Sequence, residues 1–475
     1  MEKITFKKIK HHWQELTVIL FAFIYSVYFN IASFLRYDNY YTGRFDLGNM
    51  TQTVWNTTQG NLFTLTDPNG TREVSRLAFH ADFILILLSP FYALWQDPRM
   101  LLFIQTFVLS LGGVFVYLIA RHILENRTLS LALSLCYFLN PAVQYTNLYD
   151  FHSVTLATTF LLAAFYFIQK KYFTLTLIFL ILAGITKEQV WFITSLIGLY
   201  ILFISKQRKL GTSIFLASAF LFYYLIWHAI PNSLGSAHFA LEYYSDFGGS
   251  PGDIIKNIFL NPVQTIQTLF LPDRIGYLKQ LFLPLGYLSL LAPIYLIFAG
   301  PDLGINLLST NPTLHQIYYQ YSATVTPFIF ISAIFAIKLI RKYIPEVPLM
   351  AFAVLILITT LISAYTYGPL PGAEKPNLDM FKKPLPIRDA VDKQIKEIPE
   401  HESVSASNNL ASHLSHRKNI YVVPYGIGQA DKVLFLVTRS ANEYELKALE
   451  NILKDPDFIL IFNQDNFYVF KRISS

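Results

Sequence analysis

The chain is poor in charge and almost lacks cysteine. Charged residues make up 14% of its 475 residues, against about 25% in an ordinary soluble domain. The one cysteine, Cys136, cannot form an internal disulfide, which excludes a disulfide scaffold. Hydrophobic residues reach 53%, which excludes a disordered chain and a basic nucleic-acid binder. We therefore expect a polytopic α-helical membrane protein that binds no nucleic acid.

Long segments without a charged residue recur through most of the chain. A helix needs about 20 mostly apolar residues to cross a bilayer, so the spacing of these segments predicts roughly nine to eleven crossings. We expect the membrane domain to cover residues 1–366, with an outer loop at 36–99. The segments are Leu16–Leu35, Met100–Ala120, Thr128–Tyr149, Phe151–Gln169, Tyr172–Thr186, Gln189–Ser205, Gly211–Ile230, Gln280–Gly300, Leu303–Ile337 and Val347–Ala373.

Basic residues cluster between these segments and predict the orientation. Short loops rich in Lys and Arg stay on the cytoplasmic side. All clusters fall inside if the N-terminus is cytoplasmic and 36–99 holds no complete crossing. We therefore expect the apolar stretch Ala81–Trp95, which contains Pro90, to lie at the outer interface or to re-enter. The clusters are Lys3/Lys7/Lys8/Lys10, Arg121/Arg127, Lys170/Lys171, Lys206/Arg208/Lys209 and Lys338/Arg341/Lys342.

The composition changes at about Tyr367, where a proline-rich linker begins. Short apolar runs at Ile420–Val423 and Lys432–Val437 predict strands, and Tyr444–Leu453 predicts a helix. Two apolar runs at 458–462 and 467–470 flank Asn-Gln-Asp-Asn and predict a β-hairpin. We expect residues 367–475 to form a small soluble α/β domain outside the cytoplasmic membrane.

The loop after the first span carries a candidate carboxylate, Asp46. If Phe45–Thr57 is helical, Asp46, Asn49, Thr53 and Asn56 share one face, and Asp46 faces a cavity. The alternative is a solvated loop carboxylate, the usual place of an aspartate. Spacing alone favours that alternative.

Asp150 and His152 stand two residues apart in a predicted outer turn. In an extended turn both side chains point the same way, and carboxylate plus imidazole suits a divalent metal or a pair that orients a phosphate. The alternative is that Asp150 caps the helix that follows.

A third polar group, Lys187-Glu188, lies between two apolar segments at the predicted outer boundary. The lysine can bind a lipid phosphate as a point charge. The alternatives are a local ion pair and a lysine that snorkels to the interface. His80 is a weaker candidate of the same kind.

Several stretches together resemble a family of prokaryotic membrane proteins catalogued as domain of unknown function 2079. They are Phe45-Asp46-Leu47-Gly48, Trp55-Asn56, Phe79-His80 to Pro90-Phe91-Tyr92-Ala93-Leu94, Leu148-Tyr149-Asp150-Phe151-His152, Lys187-Glu188, Asn306-Leu307-Leu308-Ser309, Gln320-Tyr321-Ser322-Ala323 and Pro327-Phe328. The likeness covers most of the membrane part. In the outer domain, Ser405–Leu410 and His416-Arg417 match less sharply.

That family resembles the GT-C glycosyltransferases of the protein mannosyltransferase kind. The resemblance implies a polyprenyl-phosphate-linked sugar as donor and Asp46 as the catalytic residue. It also implies a divalent metal, Mg²⁺ or Mn²⁺, at Asp150 and His152. This chain departs from the pattern because Asp46 stands alone between Phe45 and Leu47, without a second acidic residue.

The resulting hypothesis is a sugar transfer at the outer membrane face. Asp46 acts as general base on an acceptor hydroxyl. Arg44, His80, Lys187 and Glu188 bind the substrate, with Lys187 and Arg44 on the phosphate. The alternative is a transporter or flippase of a lipid-linked substrate, although transporters tend to show paired repeats that this sequence lacks.

Overall fold

A computed structural model describes residues 12–235, 239–438 and 441–473. The N-terminal lysine cluster Lys3/Lys7/Lys8/Lys10 lies outside the described residues.

Helices account for most of the described chain. The α-helices are α1 Trp13–Asp38, α2 Asn49–Thr58, α3 Ile84–Leu94, α4 Arg99–Leu124, α5 Arg127–Phe138, α6 Pro141–Leu148, α7 Ala157–Gln169, α8 Phe173–Gly184, α9 Val190–Phe203, α10 Arg208–Tyr224, α11 Ile230–Leu234, α12 Pro251–Leu260, α13 Pro262–Leu269, α14 Pro272–Phe282, α15 Gly300–Leu308, α16 Thr326–Tyr343, α17 Leu349–Tyr367, α18 Asp379–Lys382, α19 Arg388–Lys396, α20 Asn408–Ala411 and α21 Glu443–Ile452. Two π-helical turns lie at Arg44–Gly48 and Leu225–Ala229. The 3₁₀ turns are Arg76–Ala78, Ser153–Leu156, Phe239–Tyr244, Leu283–Leu285, Leu288–Leu291, Pro293–Ala299, Gln320–Ser322 and Ile427–Gln429.

The strands form two sheets. A small antiparallel pair joins β1 Thr64–Thr66 to β2 Glu73–Ser75. The larger sheet has the order β4-β3-β5-β7-β6, with β3 parallel to β4 and β5 and the other pairs antiparallel. Its strands are β3 Val404–Ala406, β4 Ile420–Val422, β5 Lys432–Leu436, β6 Phe458–Gln464 and β7 Phe467–Arg472.

This sheet confirms the α/β elements predicted near the C-terminus. The predicted hairpin is present, since β6 and β7 pair antiparallel around Asp465 and Asn466, which both take positive φ angles. The predicted helix is α21, which Asn442 caps by accepting the Glu445 N–H. Short-range patterns were sufficient here because the alternation and the turn residues are local properties.

The chain divides into two compact units. Of the described residues, the first unit contains those within 12–29, 105–149 and 153–378, and the second contains those within 30–104, 150–152 and 379–473. This division differs from the predicted domains, because the outer loop groups with the C-terminal residues. Buried Tyr40 belongs to the same apolar core as Val391, Leu410 and Phe467, and its hydroxyl donates to Asp392 at 2.6 Å.

Most of the apolar helices lie wholly or partly in the first unit. Among the described residues, four helical segments are long and apolar enough to cross a membrane: Trp13–Asp38, Arg99–Leu124, Arg208–Leu234 and Leu349–Tyr367. Five apolar helices are shorter: Ile84–Leu94, Ser153–Gln169, Phe173–Gly184, Val190–Phe203 and Pro293–Leu308. Residues such as Leu16, Ile19 and Phe23 on α1 are exposed, as lipid-facing side chains are.

Two of the predicted spans are interrupted, and a local cause is visible for the first. Thr128–Tyr149 splits into α5 and α6, because Asn140 caps a new helix through the Ala142 N–H and Pro141 starts it. Leu303–Ile337 splits into α15, an irregular segment and α16. The stretch Ala81–Trp95 yields α3, whose 11 residues span only about 16 Å and do not cross a bilayer.

Helices α9 and α10 approach each other at two glycines. A Cβ on Gly198 would lie 2.6 Å from the backbone nitrogen of Phe215, and a Cβ on Gly211 would lie 2.4 Å from that of Leu202. Small residues permit such close backbone packing in membranes, where the hydrophobic effect does not drive helices together.

We predict that Gly198→Ala destabilises the protein by about 1–3 kcal/mol, because the added methyl meets backbone that cannot move aside. Thermal unfolding in detergent measures the change. Gly276→Ala is the matched control, since its new Cβ has no atom within 4 Å beyond its chain neighbours and the nearby backbone of its own helix. Equal melting temperatures for the two variants would contradict the packing argument.

Candidate active site

Asp46 lies in the π-helical turn Arg44–Gly48, which begins directly after Gly43. A helical turn leaves its first N–H groups without intrahelical acceptors. Gly43 has no side chain to accept them. Asn408 does so instead: its Oδ1 accepts the N–H of Arg44 at 2.8 Å and that of Phe45 at 3.3 Å. A Cβ on Gly43 would lie 2.7 Å from Asn408 Nδ2, so glycine permits this approach.

Asp150 holds the residue before the turn. Its Oδ2 accepts the Gly43 N–H at 3.0 Å, and its Oδ1 lies 3.5 Å from Nη2 of Arg36. The carboxylate is 4% exposed, and the residue takes a positive φ of 39°. Burial raises the pKa of Asp150 above its ordinary value, a rise that Arg36 opposes and Asp46 reinforces.

His152 contacts Asp46 directly. The distance from Nε2 to Asp46 Oδ1 is 3.0 Å. An ionised carboxylate can only accept, so Nε2 carries the hydrogen of this bond. Asp150 and His152, two residues apart, therefore both reach the segment 43–46. The turn is not extended at Asp150, as the prediction required, because this residue is in the left-handed region with a φ of 39°.

Burial distinguishes the two partners of the Asp46–His152 pair. The Asp46 side chain is 30% exposed and that of His152 is 9% exposed. Asp46 is therefore the partner that a reactant can reach, and His152 is the one that orients it. A partly exposed carboxylate held by an imidazole can remove a proton from a bound hydroxyl.

The structure places Arg44 differently from the prediction that it binds phosphate. Its side chain is fully buried and donates to Asn49, Gln52 and the carbonyl of Thr66. Burial lowers the pKa of Arg44 to about 9, and nearby Arg76 adds to this. Such a guanidinium supports the turn from within, because its Nη1 and Nη2 groups donate to neighbouring oxygens.

His80 follows the 3₁₀ turn Arg76–Ala78 and is partly exposed. Its N–H donates to the Arg76 carbonyl at 3.1 Å. Arg76 and Asp82, on either side of it, form a buried ion pair with three hydrogen bonds, and Nη2 and Oδ2 lie 2.9 Å apart. This pair stabilises the backbone around His80.

Lys187 and Glu188 belong to the first unit, in the short connection between α8 and α9. Lys187 is partly exposed and Glu188 is buried. Both interact electrostatically with Asp302 of α15, whose Oδ2 accepts the Thr324 hydroxyl. The second oxygen of this buried carboxylate, Oδ1, has no hydrogen-bond partner in the described residues.

The donor set at Asp150 and His152 does not fit a metal ion in this arrangement. The Asp150 oxygens face a guanidinium and a backbone N–H, and His152 directs Nε2 at Asp46. Within the part of the chain that the structure describes, no three His, Cys, Asp or Glu side chains come together to hold a metal.

The sequence analysis assigned no site role to three supporting residues: Arg36, Gly43 and Asn408. Arg36 ends the first apolar segment, and Gly43 precedes Arg44 in the loop. Asn408 falls in the stretch Ser405–Leu410 that resembles the family, which was the one available signal. Their role depends on contacts between residues more than 100 positions apart, which no local pattern encodes.

The comparisons with known proteins agree on a membrane protein. The model of the predicted membrane protein family DUF2079 matches residues 36–467. No curated protein matches the chain. Among solved structures, ArnT from Cupriavidus metallidurans, a GT-C glycosyltransferase solved with bound undecaprenyl phosphate, matches with a TM-score of 0.61. The two sequences are 10% identical, and the match covers 96% of this chain and 98% of ArnT. At this identity the likeness shows a GT-C-like fold alone.

We predict that Asn408→Ala loosens the Asp46 turn, because two N–H groups lose their acceptor, a loss of about 1 kcal/mol. Amide hydrogen exchange in residues 43–48 should accelerate about fivefold. Asn408→Asp keeps the acceptor oxygen and should exchange like the natural chain. Asn409→Ala, one position along in α20, is the control; equal acceleration there would refute the capping role.

Proposed function

The chain belongs to the DUF2079 family of predicted membrane proteins, and we propose that it is a membrane glycosyltransferase. It transfers a sugar from a polyprenyl-phosphate donor to an acceptor hydroxyl at the outer face of the membrane. The GT-C-like fold supports this assignment, and the undecaprenyl phosphate bound to ArnT supports a polyprenyl phosphate partner. The observation that carries the proposal is the partly exposed Asp46 carboxylate with His152 on one of its oxygens.

Asp46 acts as the general base. Its carboxylate removes the proton of the acceptor hydroxyl while the acceptor oxygen forms a bond to the anomeric carbon. The bond from that carbon to the phosphate oxygen breaks, and its electron pair leaves with the polyprenyl phosphate. Attack from the side opposite the leaving group inverts the anomeric configuration. His152 keeps the carboxylate in the orientation that accepts the proton.

The leaving phosphate needs positive charge or hydrogen-bond donors beside it. We propose His80, which lies in the same unit as Asp46, for this role. Lys187 and Glu188, in the first unit, are proposed as substrate-binding residues. Arg44 is reassigned from phosphate binding to support of the turn, since it is fully buried. The outer α/β region presents or recognises the acceptor.

We predict that Asp46→Asn lowers the rate of sugar transfer by about 100- to 10,000-fold, the usual effect of losing a general base. Folding is preserved, because an asparagine oxygen can still accept from His152. Mass spectrometry follows the loss of lipid-linked sugars when purified protein is mixed with a membrane lipid extract. Binding of undecaprenyl phosphate, measured separately, should not change.

Asp67→Asn makes the same chemical change in the same loop, where the Asp67 oxygen accepts the Asn69 N–H in a local turn. It should transfer sugar at the natural rate. A fully active Asp46→Asn variant would remove Asp46 from the role of base.

We predict that His152→Ala slows transfer strongly and that His152→Gln, which keeps a donor, recovers part of the rate. A positioning residue acts through the base, so adding His152→Ala to Asp46→Asn should cost nothing further. Rate measurements on the two single variants and the double variant test this. Multiplied losses in the double variant would show that His152 acts independently.

A further inference from the structure

Three basic side chains of the first unit surround one cavity. Arg121 and His122 lie in the last turn of α4, and Lys170 follows the end of α7. The cavity has a volume of about 550 Å³ and is also lined by Leu118, Glu125 and Tyr166. None of the residues assigned to sugar transfer lines this cavity.

The basic groups at this cavity are not neutralised by the protein. Within residues 12–235, 239–438 and 441–473, neither Arg121 nor Lys170 forms an ion pair or a side-chain hydrogen bond. Glu125 is the one acidic residue in the lining, so the cavity wall carries excess positive charge. Helix C-termini and the cytoplasmic side favour cations in general. That preference explains each residue separately but not their convergence on a cavity.

An apolar surface continues from the cavity along α4 and α7 to the neighbouring α8. Tyr166 packs against Phe115 with ring centres 6.1 Å apart, and Phe115 contacts Phe179 of α8 at the same distance. Beyond them α8 exposes Ile178 and Ile181. A basic cavity next to an exposed apolar helix face matches a ligand with an anionic head and hydrocarbon chains.

We propose that the cavity lined by Arg121, His122 and Lys170 binds the phosphate headgroup of an anionic phospholipid. The acyl chains lie along the exposed face of α8. The site is separate from sugar transfer, so it stands whether or not the proposed reaction is correct. The same phosphate chemistry occurs in free inorganic phosphate, which the experiment distinguishes.

Native mass spectrometry of the purified full chain tests the proposal. The protein is titrated with phosphatidylglycerol and with phosphatidylcholine of matched acyl chains. The natural chain should bind phosphatidylglycerol more tightly. Arg121→Ala with Lys170→Ala should reduce that preference by about 20- to 30-fold, because each basic residue near a headgroup contributes roughly fivefold.

Lys338→Ala with Arg341→Ala is the matched control, since it removes the same two kinds of charge from the end of α16, outside the cavity lining. The control should keep the full preference. Absence of a preference in the natural chain, or its survival in the Arg121 and Lys170 variant, overturns the proposal. Displacement of phosphatidylglycerol by millimolar inorganic phosphate overturns the lipid assignment.

The natural chain provides a second measurement that needs no variant. Raising the salt concentration should weaken phosphatidylglycerol binding and leave phosphatidylcholine binding unchanged, because salt screens exposed charges. Equal salt sensitivity for both lipids contradicts an anionic headgroup in the cavity.

Discussion

The candidate active site depends on the two contacts of the Asp150 carboxylate. One oxygen accepts the Gly43 N–H and the other faces Arg36, so one buried group fixes both the end of α1 and the start of the Asp46 turn. Removing a partner from a buried ion pair is far more costly than losing an exposed one. The position of Asp46 is therefore set from outside its own loop.

Support for Asp46 comes from three residues in two separate parts of the chain. Asn408 caps the turn, Asp150 holds the residue before it, and His152 binds the carboxylate itself. Within the second unit, Asp150 and His152 belong to the 150–152 segment and Asn408 belongs to the C-terminal region. The C-terminal region thus shapes the turn that carries the proposed base, besides any role in acceptor recognition.

The basic residues of this chain serve different physical purposes according to burial. Arg44 is buried and bonded to three oxygens of its own unit, so it stabilises the fold. Arg121 and Lys170 line an open cavity without an anionic partner in the described residues. In the sequence, both places show only basic residues. Their burial and their hydrogen-bond partners distinguish the structural guanidinium of Arg44 from the candidate ligand site at Arg121 and Lys170.

Composition and local patterns were sufficient to predict the membrane class, the hairpin near the C-terminus and the position of Asp150 and His152 in one turn. These are local properties, readable from composition, alternation and a spacing of two residues. Three features became visible only in the tertiary structure. Arg44 is buried, Asn408 caps the Asp46 turn, and the 36–99 loop groups with the C-terminal region. Each of these depends on contacts between distant segments, whose register follows from the packing of the whole chain and not from any short pattern.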